Sequence, residues 1–91
     1  MEDKYTYQEW AIPDYMRESI EEYRMKGRPC GDFLTAILQN DFVHAAGLAD
    51  KDNVRNLPAY ANYLYNHMPF QAWGSPKNVK AWIESGGLSG K

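Results

Sequence analysis

The residues of this chain that could carry out chemistry are few and lie far apart in the sequence. Asp41 and His44 are three residues apart, a spacing that would place two metal ligands on one side of a helix. A metal site needs a third and usually a fourth ligand, and His67 is the one other histidine. The pair therefore does not predict a metal centre, and we expect no cofactor.

The possible nucleophiles are explained better by structure than by catalysis. Ser75 directly precedes Pro76, an order typical of a helix N-cap followed by proline at the first helical position. Cys30 is the single cysteine and has no histidine near it in the sequence to activate its thiol. A lone cysteine also excludes an intrachain disulfide and fits a reducing compartment. We expect a non-enzymatic protein.

The charge composition argues against general nucleic-acid binding. The 91 residues, enough for one domain, carry 10 Lys and Arg against 12 Asp and Glu, a net charge of −2. Two small basic clusters and three aromatic residues that could stack on bases keep nucleic-acid binding as an alternative hypothesis: Arg24, Lys26 and Arg28; Lys51 and Arg55; and Tyr63, Tyr65 and Trp73.

No stretch approaches the roughly 20 apolar residues of a membrane span. The first residues, Met-Glu-Asp-Lys, lack the features of a signal peptide, so we expect a cytoplasmic protein.

The apolar periodicity predicts an all-α domain, a compact array of four helices around a central buried helix. The helices are expected near residues 12–27, 30–48, 51–67 and 75–85, within a single helical domain at 12–87. The second is the expected centre, because its apolar residues leave little of the helix facing solvent. No run alternates for long enough to specify a strand.

Asn40 and Asp41 interrupt the apolar pattern of the expected central helix. In a continuous helix, Asp41 would lie on the same side as Ile37 and Ala45. A buried charge needs a hydrogen-bonding partner, so we expect both polar residues to be buried and one of them to cap a neighbouring helix or bind backbone N–H groups. The alternative is that they contact a ligand or a partner.

Three further segments connect or flank these helices. Pro58 either kinks one helix over 51–67, which we favour, or follows a short turn before a helix that begins near Leu57. Residues 1–11 are expected to form an extended arm whose aromatic residues pack on the helical body or belong to a frayed terminus, and residues 88–91 to form a mobile tail.

Several short motifs together resemble a family of small proteins encoded by tailed bacteriophages and prophages. They are Ile12-Pro13 with Tyr15-Met16, Gly31-Asp32-Phe33-Leu34, Asn40-Asp41, Leu64-Tyr65-Asn66 and Trp73-Gly74-Ser75-Pro76. The resemblance covers roughly residues 12–87. It implies a phage accessory role and no catalytic residues.

Taken together, these features favour a monomeric, non-catalytic module that binds a host or phage protein complex. The inhibition of a CRISPR-Cas defence complex is its most concrete form, by analogy with other phage accessory proteins. We expect exposed aromatic residues and an acidic helix face, which could meet a basic groove, to form the contact surface: Tyr5, Tyr7, Trp10, Phe70 and Trp73, with Glu18, Glu21 and Glu22.

Overall fold

A computed structural model describes residues 5–90 of the chain. Its elements in chain order are β1 (Tyr5–Tyr7), β2 (Trp10–Ile12), α1 (Asp14–Lys26), α2 (Asp32–Leu38), α3 (Phe42–Leu48), α4 (Lys51–Arg55), α5 (Leu57–His67), a 3-10 turn (Phe70–Ala72) and α6 (Pro76–Ser85). The domain is therefore mostly helical, as predicted, but it is not strictly all-α.

The unexpected element is an antiparallel β-hairpin at the start of the described chain. Tyr7 pairs with Trp10, so Gln8 and Glu9 form a two-residue loop, and Gln8 has a positive φ of 55°. The Tyr7 and Trp10 rings stack with their centroids 5.9 Å apart. Periodicity did not predict these strands, because three residues are too few to show a period of two. Residues 1–4 of the expected arm lie outside the described range.

The expected central helix is divided into α2 and α3. Asn40 adopts a left-handed backbone conformation, with φ at 64°, and the Asp41 side chain accepts a hydrogen bond from the His44 N–H at 3.3 Å. Asp41 is thus the N-cap of α3, which agrees with the capping role that we expected. The expectation that Asn40 and Asp41 are buried was wrong, because the chain turns here and leaves both residues exposed.

A second break separates α4 from α5. Asp50 caps α4 by accepting a hydrogen bond from the Asn53 N–H at 2.8 Å, and α4 ends at Arg55. Pro58 lies in the first turn of α5, where its missing N–H would have no helical partner. A single kinked helix was therefore the wrong choice, and the alternative of a turn before Leu57 is correct.

The core combines residues of α2 with apolar and aromatic residues of the other elements. Five of the seven residues of α2 are buried, whereas within α3 the structure buries Ala45 alone. Tyr23 and Tyr60 are among the largest fully buried side chains. The Tyr23 hydroxyl donates to the Ala72 carbonyl at 2.6 Å, so the buried phenol has a partner and fixes the 3-10 turn to α1.

The last described residues are attached to the end of α1. Leu88 N–H donates to the Arg24 carbonyl at 3.1 Å, and Ser89 N–H donates to the Met25 carbonyl at 2.8 Å. Gly87 is buried against Gly27, the left-handed residue that ends α1. We predicted a mobile tail over 88–91. In the structure, the N–H groups of residues 88 and 89 satisfy carbonyls that the end of a helix leaves without partners, and residue 91 lies outside the described range.

Candidate functional site

The hairpin aromatics that we expected on a contact surface are half-buried against the helical body. The Tyr5 hydroxyl donates to Asn62 Oδ1, and its ring meets the Tyr63 ring edge-on at 5.2 Å. Tyr7 and Trp10 also pack against the core. The Tyr5 side chain thus attaches the hairpin to α5, and contact between the three aromatics and a partner stays a prediction.

Two of the three acidic residues of α1 that we expected on the contact surface form ion pairs with nearby arginines. Glu21 forms an ion pair with Arg24, and Glu22 Oε1 lies 3.1 Å from Arg28 Nε. Glu18 is exposed and lines a shallow open groove together with Glu22 and Arg28. The expected acidic face is therefore a surface of mixed charge, which attracts a basic partner weakly.

The same ion pairs use part of the first basic cluster that suggested nucleic-acid binding. Arg24 and Arg28 face Glu21 and Glu22. Tyr63, one of the three aromatics considered for base stacking, is buried against the core. Its burial leaves no ring face for a base, and it is also the main reason that the pKa of Tyr63 is raised.

The residues considered for chemistry have structural roles. His44 Nδ1 lies 3.6 Å from Asp41 Oδ2, while His67 packs beside Tyr5 and Tyr63. Within residues 5–90, no group of three or more metal-ligating side chains occurs. Ser75 Oγ accepts a hydrogen bond from the Asn78 N–H at 3.1 Å, which confirms its predicted capping role.

Cys30 lies in a partly buried position beside α1. Burial raises the pKa of the Cys30 thiol to about 11, so the thiol is protonated near neutral pH. Because the thiolate is the nucleophilic form, Cys30 is poorly suited to covalent catalysis.

Two aromatic side chains are exposed to an unusual degree at the end of α5. Tyr65 and Phe70 are each 71% exposed, and both line a shallow depression with His67 and Pro69. Phe70 belongs to the predicted contact residues. Tyr65 was considered only as a possible base-stacking residue, and the structure now places it beside Phe70.

The turn that carries Phe70 is fixed on both sides. Met68 before it and Ala72 after it are buried, and the Ala72 carbonyl accepts the hydrogen bond from Tyr23. Gly74 N–H then donates to the Leu38 carbonyl at 2.7 Å. Trp73, the other predicted contact residue of this loop, is half-buried and packs against the core. Phe70 is thus held outward by a rigid turn rather than by a loose loop.

The depression beside these two aromatics is lined by residues that carry no formal charge when histidine is neutral. Residues 56–76 are 21 consecutive positions without Asp, Glu, Lys or Arg, in a chain of which 24% is charged. We give the name uncharged face to six exposed residues of this segment: Ala61, Tyr65, Asn66, His67, Phe70 and Gln71. The long gap between charged residues is visible in the sequence itself, and it is the signal from which this surface could have been predicted.

Exposed apolar residues also occur outside the uncharged face. Val43 on α3 is 88% exposed, but it lies between Asp41 and His44, both of which are also exposed. Tyr15 on α1 is exposed, and its hydroxyl donates to Asp50 Oδ2 at 2.8 Å. Val43 and Tyr15 each have an aspartate as a neighbour, whereas the segment that forms the uncharged face contains no Asp, Glu, Lys or Arg.

Comparisons of the chain with protein-family models, curated proteins and solved structures give no match. In the described residues, no helix has both the length and the apolar character needed to cross a membrane.

Proposed function

We propose that this protein is a non-catalytic module that binds another protein through the uncharged face. The observation that carries the proposal is the pair of exposed aromatic residues, Tyr65 and Phe70, in a segment without Asp, Glu, Lys or Arg. Interface cores are enriched in aromatic residues and depleted of charged ones. Bulky side chains that lie at the centre of an interface commonly supply most of its binding free energy.

The fixed geometry of the Phe70 turn supports the same proposal. A side chain that is already held in place loses little conformational entropy when a partner covers it. Tyr65 adds a large ring with few rotatable bonds, and the amides of Asn66 and Gln71 offer adaptable hydrogen bonds. Antibody paratopes combine these same two kinds of residue, rigid aromatic and adaptable polar.

The resemblance to phage proteins gives the proposal its biological setting. Among the residues that carry this resemblance, Phe33, Leu34 and Leu64 are buried and Ser75 caps α6, whereas Tyr65 is exposed. A role in binding would account for a tyrosine at this position. The proposed partner is therefore a host or phage protein complex in the host cytoplasm, such as a defence complex, and the proposed active form is a monomer.

The test is affinity capture from nuclease-treated cells with the wild-type chain and two alanine variants. Phe70→Ala removes one of the two exposed aromatics of the uncharged face, and Val43→Ala is the matched control, because it removes an exposed apolar side chain elsewhere. We expect one protein complex to be captured by the wild type and by Val43→Ala. Phe70→Ala should lose at least about tenfold in affinity, the effect expected of a central aromatic contact.

The same experiment distinguishes the second hypothesis, nucleic-acid binding. Recovery of nucleic acid without nuclease treatment, with no protein enriched in either case, would contradict the proposal. Equal capture by Phe70→Ala and the wild type would show that binding occurs through another surface. Both variants lie at exposed positions, so their thermal unfolding should match that of the wild type.

A further inference from the structure

The uncharged face also restricts the chemistry of the surface that can bind to it. From its lack of charge, we infer that the partner presents an uncharged, apolar surface and not a basic groove. This inference rests on the proposed function, because it describes the partner of that same face.

The first step concerns the cost of burying a charged group of the partner. A Lys or Arg side chain placed against the uncharged face would lose its hydration without meeting a carboxylate, since residues 56–76 contain none. Burial of an unpaired charge is strongly unfavourable. Electrostatic complementarity therefore selects a partner surface that is also free of charge where it meets Tyr65 and Phe70.

The second step concerns the acidic residues that could have bound a basic groove. Glu21 and Glu22 already form ion pairs with Arg24 and Arg28. A basic partner would have to displace these arginine side chains, so the net gain from meeting the glutamates would be small. Glu18 alone is too weak an attraction to define a basic partner.

The third step concerns what the partner must offer instead. The Phe70 ring projects from its turn, so the partner needs a concave apolar site that can cover the ring. The Tyr65 hydroxyl and the side-chain amide of Gln71 can form hydrogen bonds with backbone or amide groups of the partner. A folded protein surface with an apolar pocket and a rim of uncharged polar groups fits these requirements.

A pair of substitutions with opposite charge at Gln71 tests the inference. Gln71 is exposed and adjacent to Phe70, so Gln71→Lys and Gln71→Glu each place a charge on the uncharged face. Against an uncharged partner, both variants should weaken binding by about tenfold or more, because each new charge would be buried without a counterion. Against a basic groove, Gln71→Glu should strengthen binding while Gln71→Lys weakens it.

Photo-crosslinking identifies the partner segment that contacts each position, which the affinities alone do not show. The photoreactive residue p-benzoylphenylalanine is introduced at position 70, at position 18 and, as a control, at position 43, and the full chain is irradiated inside cells. We expect position 70 to cross-link to one protein segment that lacks charged residues at the contact. The dissociation constant for that purified partner should change by less than about twofold between low and high salt, because exposed ion pairs are the interactions that salt screens.

The possible outcomes separate the inference from the proposed function. Opposite effects of the two Gln71 variants, a steep salt dependence, or a cross-link from position 18 to a segment rich in Lys and Arg would overturn the inference but leave protein binding intact. A cross-link from position 70 to a second copy of this chain would replace the partner by a homodimer and overturn the inference. The absence of protein cross-links at all three positions would overturn both proposals.

Discussion

Substitution of Gly87 by alanine should be among the most damaging single changes in this chain. Gly87 has a φ of 74°, and a Cβ added there would lie 2.5 Å from the Gly27 nitrogen and 2.7 Å from the Lys26 nitrogen. The left-handed conformation costs an alanine about 1 kcal/mol or more. Overlap with backbone atoms, which cannot rotate away, adds about 1–3 kcal/mol.

The expected loss is therefore about 2–4 kcal/mol, against a total stability of roughly 5–14 kcal/mol for a domain of this length. The assay is urea unfolding, monitored by the circular dichroism signal of the helices. With a slope of about 1–1.5 kcal/mol per molar urea, the midpoint should fall by about 1.3–4 M.

Gly47→Ala is the matched control, because it makes the same chemical change in a different environment. Gly47 lies inside α3, and a Cβ added there would meet no atom within 4 Å. Alanine is the better helix former, so this variant should be stabilised by up to about 1 kcal/mol. If Gly87→Ala lost less than about 1 kcal/mol, or if both variants changed alike, the close approach of Gly27 and Gly87 would not constrain the fold as argued.

Three further predictions concern the core, a helix cap and the pH dependence of stability. Leu38 is 3% exposed, so Leu38→Ala should lower the free energy of unfolding by about 2–5 kcal/mol, and a urea midpoint near that of the wild type would show that this side chain is not in the core. Asp41 caps α3, so Asp41→Asn should keep most of the stability, whereas Asp41→Leu should lose about 0.5–2 kcal/mol in the same urea assay. A leucine variant at least as stable as the asparagine variant would contradict the capping role. Burial raises the pKa of the Cys30 thiol from 9.0 to about 11, so its contribution to stability is complete below pH 9 and is lost as the pH rises towards 11. Between about pH 8 and pH 10, wild-type stability should therefore fall more than that of Cys30→Ala, and equal losses in the two proteins would refute this assignment.

The helix boundaries that follow from local chemistry were predictable from the sequence. Ser75-Pro76 marks the start of α6, and Gly27 ends α1, because both signals depend on the residues next to them. The break between α2 and α3 depends on a competition between the local preferences of two residues and the apolar period of the surrounding sequence. Asn40 tolerates the left-handed conformation and Asp41 caps the next helix, and together these local preferences prevailed over an apolar period that continues across both helices.

Features that depend on distant residues were harder to predict. The Tyr5 ring packs against Tyr63, and its hydroxyl bonds to Asn62, 57 positions away in the sequence. Periodicity cannot reveal such a partner, so the hairpin aromatics were expected on a contact surface. Phe70 was identified from its bulky loop, but Tyr65 was not identified as its neighbour. The run without charges at 56–76 would have indicated that the two belong to one surface.

The attachment of residues 87–89 to α1 has a consequence for the order of folding. The Arg24 and Met25 carbonyls receive their hydrogen bonds from Leu88 and Ser89, more than 60 positions later in the chain. A ribosome therefore has to synthesise all the helices before the end of the first one can be completed. Until then, these two carbonyls have to accept hydrogen bonds from water, and the Leu88 and Ser89 amides that bond to them should be among the last to gain protection against hydrogen exchange.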